Sequence, residues 1–157
     1  MPQELKICYY NSRGDHMKYV NYNDKYVIRI DKGEELVTTL KDFCERKHIK
    51  NGTITGIGAT DKVVISIFDS KEKKYKKRTL KGTMEITSLI GNISNKDTKA
   101  HLHLHINVSN NLLQVYGGHL EECYISATCE IILEKIEGHM SRKYDPETGL
   151  DILDFTI

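Results

Sequence analysis

Residues 101–106 read His101-Leu102-His103-Leu104-His105-Ile106, a strict alternation of imidazole and aliphatic side chains. Successive side chains on a β-strand point to opposite faces of the sheet. The alternation therefore predicts a strand with one apolar face, directed at a core, and one histidine face. Imidazoles two residues apart on such a face have backbones about 7 Å apart, which is close enough for both rings to converge on one metal ion.

A fourth histidine follows in the segment Tyr116-Gly117-Gly118-His119-Leu120, on what we predict to be the returning strand of a hairpin. Whether His119 can join the histidine row depends on the register of the two strands. A shift of register by one residue moves every side chain of a strand to the opposite face of the sheet.

The loop of this hairpin decides the register. A two-residue turn at Asn110-Asn111 would place His119 on the apolar face. A three-residue loop, with an asparagine at positive φ, would pair His119 with His103 and Gly117 with His105, leaving room for an ion and a ligand. A bulge at Gly117-Gly118 would also return His119 to the histidine face.

Two interpretations of the histidine row follow from the sequence. Either the histidines decorate the exposed face of a strand, or His103, His105 and His119 bind one metal ion. All-nitrogen coordination suits zinc best, with nickel, copper and iron as chemical alternatives. His101 shares the face but lies farther from the turn, so we expect it to be an accessory residue and not a ligand.

Three protein ligands leave one coordination position of zinc open, as in catalytic zinc sites. Catalysis of hydrolysis would also need a general base, for which the candidates are Glu85 and Glu130, each within an apolar strand context. Each carboxylate either lies on the solvent face of a half-buried strand or accepts a hydrogen bond from a histidine N–H.

The rest of the chain predicts one helix and many short strands. Residues 34–48 carry apolar side chains at helical spacing, and Asp31 with Glu34 resembles a capping box at the helix start. The predicted strands cover residues 26–30, 52–58, 63–68, 75–80, 84–89, 101–108, 112–116, 124–136 and 150–155. We therefore expect an α+β fold, a mainly antiparallel β-sheet flanked by one or two helices.

Length and charge limit the classes of protein. A chain of 157 residues suits one domain, which we assign to residues 1–157. Its 23 Lys and Arg against 22 Asp and Glu give a formal charge of +1, which counts against binding to nucleic acid through phosphate contacts. We find no apolar run near the ~20 residues that cross a bilayer and no signal peptide, so we expect a cytoplasmic protein with no membrane partner.

Six short segments, each weak on its own, follow one another in an order that is specific when they are taken together: residues 29–35, 56–59, 82–93, 103–105, 117–120 and 144–150. Together they resemble the PPC (plants-and-prokaryotes-conserved) domain family, in the stand-alone prokaryotic form. The resemblance covers residues 26–153 and implies an antiparallel sheet flanked by one or two helices, assembled as a homotrimer. It also implies that His103, His105 and His119 can hold zinc.

In plants, the domain that this chain resembles is joined to AT-hooks that bind the minor groove of DNA. The present chain has no Arg-Gly-Arg-Pro core of an AT-hook, so the DNA-binding label often given to prokaryotic members loses its physical basis here. Three hypotheses remain. The first is a metal-binding trimeric module for a small-molecule ligand, the second a zinc-dependent hydrolase-like enzyme assisted by Glu85 or Glu130, and the third a DNA-associated regulator.

Overall fold

The structure, a computed structural model, describes Cys8–Tyr9 and residues 17–155. Residues 1–6, in which we find no signal peptide, lie outside this part. The described residues form nine strands and one helix: β1 (Cys8–Tyr9), β2 (Lys18–Tyr22), β3 (Lys25–Asp31), α1 (Leu36–Arg46), β4 (Gly52–Asp69), β5 (Lys74–Lys96), β6 (Lys99–Asn110), β7 (Val115–Lys135), β8 (Ser141–Asp145) and β9 (Leu150–Asp154). A mainly antiparallel sheet with one short helix is the coarse architecture that the sequence predicts.

The sheet has the order β1-β2-β3-β7-β4-β5-β8-β9, and β6 pairs with both β5 and β7. Because β4 also pairs with both β5 and β7, the pairings among these four strands close on themselves. All pairings are antiparallel except the contact between β5 and β8, which consists of the single pair Asn95 and Ser141. The histidine strand β6 is thus held along both of its sides.

The long strands differ from the short ones that the sequence predicts. Residues 52–58 and 63–68 belong to one strand, β4, and residues 75–80 and 84–89 both belong to β5. Register shifts between Gly56 and Gly58 and between Thr60 and Lys62 interrupt the ladder. A bulge breaks the alternation of apolar and polar side chains while the strand continues, so the pattern shows two short strands where one bulged strand exists.

The helix is shorter than residues 34–48 and its cap differs from the predicted one. Glu35 is the N-cap, and its carboxylate accepts hydrogen bonds from the backbone N–H groups of Val37 and Thr38. Glu34 accepts a hydrogen bond from the backbone N–H of Asp31, at 2.6 Å, as a capping-box glutamate would. The helix buries its apolar side against the sheet through Leu36, Thr39, Leu40, Phe43 and Cys44.

One face of the sheet exposes an apolar patch, which we define as Val27, Ile57, Ile90 and Ile132. These four side chains are 42–58% exposed and line one groove with Glu130 and Leu89. Their position on a shared face follows from the register, since Ile132 pairs with Val27 and Thr55, and Thr55 pairs with Ile90. Among the described residues, no helix is long and apolar enough to cross a membrane.

Candidate metal centre

The structure brings the rings of His103, His105 and His119 together on one face of the hairpin formed by β6 and β7. His105 pairs with His119, and not His103 as the three-residue loop predicts. The register therefore differs from the expected one by two residues. A shift of two keeps each side chain on its face, so His119 still lies beside the histidine row.

The loop accounts for the difference in register. The last pair of the hairpin is Ser109 with Val115, which leaves residues 110–114 in the loop. The side chain of Asn110 accepts hydrogen bonds from the backbone N–H groups of Leu112 and Gln114. The residue at positive φ is Leu113, at +60°, and not an asparagine. The loop is longer than expected because an asparagine side chain organises it from its first position.

The three rings are mutually close. Their centroids are 5.2 Å apart for His103 and His105, 5.3 Å for His103 and His119, and 5.5 Å for His105 and His119. One nitrogen from each ring lies within 4.8 Å of the other two. Nitrogens that share a tetrahedral zinc ion are about 3.3 Å apart, so small side-chain rotations would complete such a site.

The donor set fits a transition-metal ion. His119 Nδ1 is buried and has no hydrogen-bond partner in the described part of the chain. A buried polar atom without a partner is costly, and coordination to a metal ion is one way to remove that cost. Three imidazoles within reach of one point are the ligand set of catalytic zinc sites.

The two glycines next to His119 have roles other than the expected one. Gly117 lies opposite Asn107 and not opposite His105, and a Cβ at Gly117 would meet the Asn107 side-chain oxygen at 2.0 Å. A Cβ at Gly118 would lie 2.8 Å from the backbone oxygen of Ser66 on β4. The glycines therefore permit close approach of neighbouring groups.

The histidines line a cavity of about 930 Å³. Its charged and imidazole side chains are those of His101, His103, His105, His119, Arg142 and Asp151. Apolar side chains form other parts of the wall: Ile67, Phe68, Tyr75, Leu150, Ile152, Leu153 and Phe155. His101 lies in the same cavity but outside the three-ring cluster.

Arg142 is the functional candidate that sequence reasoning missed. Its guanidinium lies beside the cluster, with Nη2 3.4 Å from His103 Nδ1. It donates hydrogen bonds to Ser94 Oγ at 2.7 Å, to the backbone oxygen of Asp151 at 2.7 Å and to Asn92 Oδ1 at 2.9 Å. The spacing of residues along the chain does not indicate this contact, because Arg142 follows His103 by 39 positions.

Burial and positive neighbours favour the neutral form of three histidines of the cavity, His101, His103 and His119. Desolvation, followed by the charge of Arg142 and the other histidines, lowers the pKa of His103 to about 4. Desolvation also lowers the pKa of His119, against the opposing effect of Glu121. Burial and then Arg142 lower the pKa of His101. Neutral imidazole is the form that binds metal ions.

The carboxylates proposed from the sequence lie elsewhere. Glu85 and Glu130 are exposed, and neither lines the histidine cavity. Glu130 lies in the groove of the apolar patch. Two other carboxylates lie near the cluster, and both already have partners: Glu121 accepts from Ser66 and Lys77, and Asp151 pairs with Lys96. The structure thus gives Glu85 and Glu130 no position from which to assist a metal-bound water.

Comparisons with known proteins agree on one family. The model of the Plants and Prokaryotes Conserved (PCC) domain matches residues 17–137. A protein from Bacteroides thetaiotaomicron, described provisionally as DNA binding, is 36% identical with a TM-score of 0.86, over 88% of this chain and 97% of that chain. A metal-containing protein from Archaeoglobus fulgidus is 34% identical with a TM-score of 0.79, over 85% and 94%.

A plant- and prokaryote-conserved (PPC) protein from Pyrococcus horikoshii is 33% identical with a TM-score of 0.78, over 88% of this chain and 96% of that chain. A curated relative, the bifunctional protein GlmU of a Synechococcus strain, is 28% identical over 127 residues. This match covers 79% of the present chain but only 19% of the length of that relative.

Proposed function

The chain belongs to the Plants and Prokaryotes Conserved domain family, and on that premise we propose that it is a metal-binding module for a small-molecule ligand. His103, His105 and His119 would hold one transition-metal ion, with zinc favoured by the all-nitrogen donor set. The observation that carries the proposal is the convergence of three imidazoles, one of them with a buried and unpartnered nitrogen. The description of the Archaeoglobus relative as metal-containing supports it.

The proposed ligand site is the cavity around the cluster. When bound, a metal ion with three protein ligands supplies an open, Lewis-acidic coordination position. The chain supplies neutral imidazoles, a guanidinium beside them and apolar walls. Ligand pockets typically combine such apolar walls with a few fixed polar groups. The zinc-dependent hydrolase alternative lacks support from Glu85 and Glu130, which do not line this cavity.

Elemental analysis of protein purified without a histidine tag tests the metal site. We expect about one zinc or similar ion per chain in the wild type and a loss of most of it in His103→Ala. Removing a partner that merely orients a ligand typically costs 10–100-fold in metal affinity, so we expect loss of a ligand to cost more than about 100-fold.

His101→Ala is the matched control, because His101 lies on the same strand and in the same cavity but outside the cluster. It should retain the metal. The His103→Ala variant should keep the circular dichroism spectrum of the wild type, since the core side of β6 belongs to Leu104 and Ile106. Equal metal content in wild type and His103→Ala would refute the proposed site.

We also propose that the chain assembles as a homotrimer through the apolar patch. Exposed apolar side chains that are contiguous on a sheet mark surfaces for protein association. The patch adjoins the histidines, because Ile90 pairs with the exposed His105. Assembly through this face would bring a second copy close to the open side of the cluster.

DNA binding is the alternative proposal, and it is supported by the description of the Bacteroides relative. Three of the basic residues on the hairpin between β4 and β5 are paired with carboxylates, which reduces the free positive charge of this hairpin. Lys74 pairs with Glu72, Lys76 with Asp69 and Lys77 with Glu121. Binding to DNA through phosphate contacts would weaken steeply as the salt concentration rises. A protein that shows no binding to DNA at low salt would refute this alternative.

A further inference from the structure

Arg142 introduces a positive charge beside the histidine cluster. Its guanidinium is part-buried, and all four of its polar contacts are with uncharged groups: Ser94, Asn92, the backbone oxygen of Asp151 and the ring of His103. Within the part of the chain that the structure describes, Arg142 forms no ion pair. Burying a charge is expensive unless an opposite charge compensates it, so this cation favours an anion in the cavity.

The carboxylates nearest to the cluster do not supply that anion. Asp151 pairs with Lys96, and Glu121 is held by Lys77 and Ser66. A divalent ion on three neutral imidazoles would add two more positive charges to that of Arg142. The described cavity lining contains one carboxylate, Asp151, which is paired with Lys96, so the lining would then carry a net positive charge.

Arg142 has donors available for a ligand. A guanidinium has five N–H groups, and its four contacts leave one of them unused. The contact with His103, at 3.4 Å, is the longest of the four, and a ligand oxygen can replace it at little cost. Guanidinium groups bind carboxylates through short, charge-assisted hydrogen bonds.

Apolar side chains also line the cavity. The rings of Phe68 and Tyr75 lie 5.1 Å apart between centroids, the Tyr75 ring lies 5.0 Å from that of His119, and Ile152 and Phe155 line the same cavity. A ligand with an anionic group and an apolar part would match both the polar and the apolar lining. Inorganic phosphate would match only the polar lining.

We propose that this cavity binds a small organic carboxylate, with its carboxylate group between the metal position and Arg142 and its apolar part against Phe68, Ile152 and Phe155. This inference rests on the proposed metal site. It also gives part of the choice of ligand to Arg142, Ile152 and Phe155, which lie beyond the residues 17–137 matched by the family model. Relatives with a different C-terminal segment would then take a different ligand.

Calorimetric titration of zinc-loaded protein tests the proposal, with metal content measured first. The probes are acetate, hexanoate, hexanamide and inorganic phosphate. We expect hexanoate to bind, acetate to bind more weakly because it lacks the apolar part, and hexanamide not to bind because it carries no charge. In cobalt-loaded protein, hexanoate should also change the visible absorption bands, since a carboxylate would enter the coordination sphere of the ion.

Arg142→Gln should lower the affinity for hexanoate by about tenfold to a hundredfold, and Arg142→Lys should restore only part of it because lysine lacks the planar fork. Lys143→Gln is the matched control. It removes one positive charge from the adjacent position of β8, where Lys143 pairs with Asp154 and does not line the cavity.

Arg142 also joins β5, β6 and β9, so its replacement can displace the hairpin. Ile152→Ala provides an independent test, because Ile152 lies on the cavity wall and makes none of these polar contacts. It should weaken hexanoate but leave acetate unchanged.

The outcomes separate the two proposals. If the wild-type protein takes up no metal, both the proposed metal-binding function and the carboxylate site are overturned. Protein that takes up zinc but binds neither carboxylate, or binds hexanoate equally well in Arg142→Gln, overturns only the carboxylate inference. Phosphate that binds more tightly than hexanoate overturns the assignment to an organic carboxylate.

Discussion

Of the three clustered histidines, His103 is the one that lies beside both other rings and also contacts Arg142. It lies on β6 between Leu102 and Leu104, its ring contacts those of His105 and His119, and its Nδ1 faces Arg142. The alternation of residues 101–106 was sufficient to predict which face it occupies. Its guanidinium neighbour could not be predicted, because Arg142 follows it by 39 positions and lies on a hairpin whose strand pairing with β5 is limited to one residue pair.

The lowered pKa of His103 predicts a pH-dependent stability of the metal-free protein. Between pH 6.5 and about 4, an unfolded chain takes up a proton at this ring, whereas the folded chain, with a pKa of about 4, does not. The contribution of His103 to the free energy of unfolding is therefore fully present above pH 6.5 and is lost as the pH falls toward 4. The lowered pKa values of His101 and His119 act in the same direction.

Urea unfolding of chelator-treated protein at several pH values checks this prediction. The unfolding free energy should fall between pH 6.5 and 4, with a contribution from His103 below the limit of about 1.4 kcal/mol per pH unit for one proton, because solvent screens a half-exposed ring. In His103→Ala the slope should be smaller. An equal slope in both proteins would contradict the prediction.

Gly91 is a residue where a single methyl group should be costly. A Cβ there would lie 2.1 Å from the backbone oxygen of His103 and 2.9 Å from the Cα of Leu104. Backbone atoms of a strand held on both sides cannot move aside easily. We expect Gly91→Ala to reduce the unfolding free energy by about 2–4 kcal/mol, measured by urea unfolding.

Gly117→Ala is the control for Gly91→Ala, since each glycine lies within a strand that pairs with β6. At Gly117 the nearest obstacle is the end of the Asn107 side chain, which can rotate away at the loss of its hydrogen bond to Ser88. We expect a cost of about 1 kcal/mol or less. A larger loss in Gly117→Ala than in Gly91→Ala would show that side-chain mobility does not decide these costs.

Among the elements, the hairpin of β6 and β7 shows where sequence reasoning succeeds and where it stops. The face of His119 depends only on whether the register is shifted by an odd or an even number, and one of the predicted loops has the observed parity. The actual pairing of His105 with His119 depends on the hydrogen bonds of Asn110 within residues 110–114. Side-chain hydrogen bonds of this kind can be accommodated by several loop lengths, so spacing alone leaves the register open.

The start of α1 gives a prediction at the same scale. One oxygen of the Glu35 carboxylate caps Val37 and also accepts a hydrogen bond from the backbone N–H of Cys123 at 2.8 Å. Its removal would uncap the helix and leave a part-buried N–H of β7 without a partner. We expect Glu35→Ala to cost about 2–3 kcal/mol of unfolding free energy.

Thermal and urea unfolding of Glu35→Ala and Glu45→Ala check this prediction. Glu45 is an exposed glutamate of the same helix, and its replacement should change the unfolding free energy by about 0.5 kcal/mol or less. Similar losses in the two variants would contradict the capping role of Glu35.

Across the whole molecule, the class of fold could be predicted because one amphipathic segment among many alternating ones indicates a sheet with a helix on it. The closure of β4, β5, β6 and β7 on themselves could not, since it depends on bulges that divide long strands into apparently separate ones. The apolar patch also belongs to this scale. Its members come from β3, β4, β5 and β7 and meet only after the sheet has formed.

Light scattering coupled to size-exclusion chromatography tests the proposed assembly. We expect a mass three times that of the 18.0 kDa chain. Ile90→Lys would place a charge in the patch, where assembly would bury it, and should shift the protein toward smaller species. Leu112→Lys, at a side chain that is 71% exposed in the hairpin loop, should leave the mass unchanged. A monomeric wild type would refute the homotrimer.

The closed pairing of the four central strands has a consequence for behaviour at high concentration. In the described sheet, the ends of the strand order fall on β1, with two residues, and β9, with five. β9 is also short, and its two aspartates, Asp151 and Asp154, are paired with Lys96 and Lys143. Strands of this kind are poor templates for the addition of foreign chains, and the long, β-rich middle of the protein is thereby kept from nucleating fibrils.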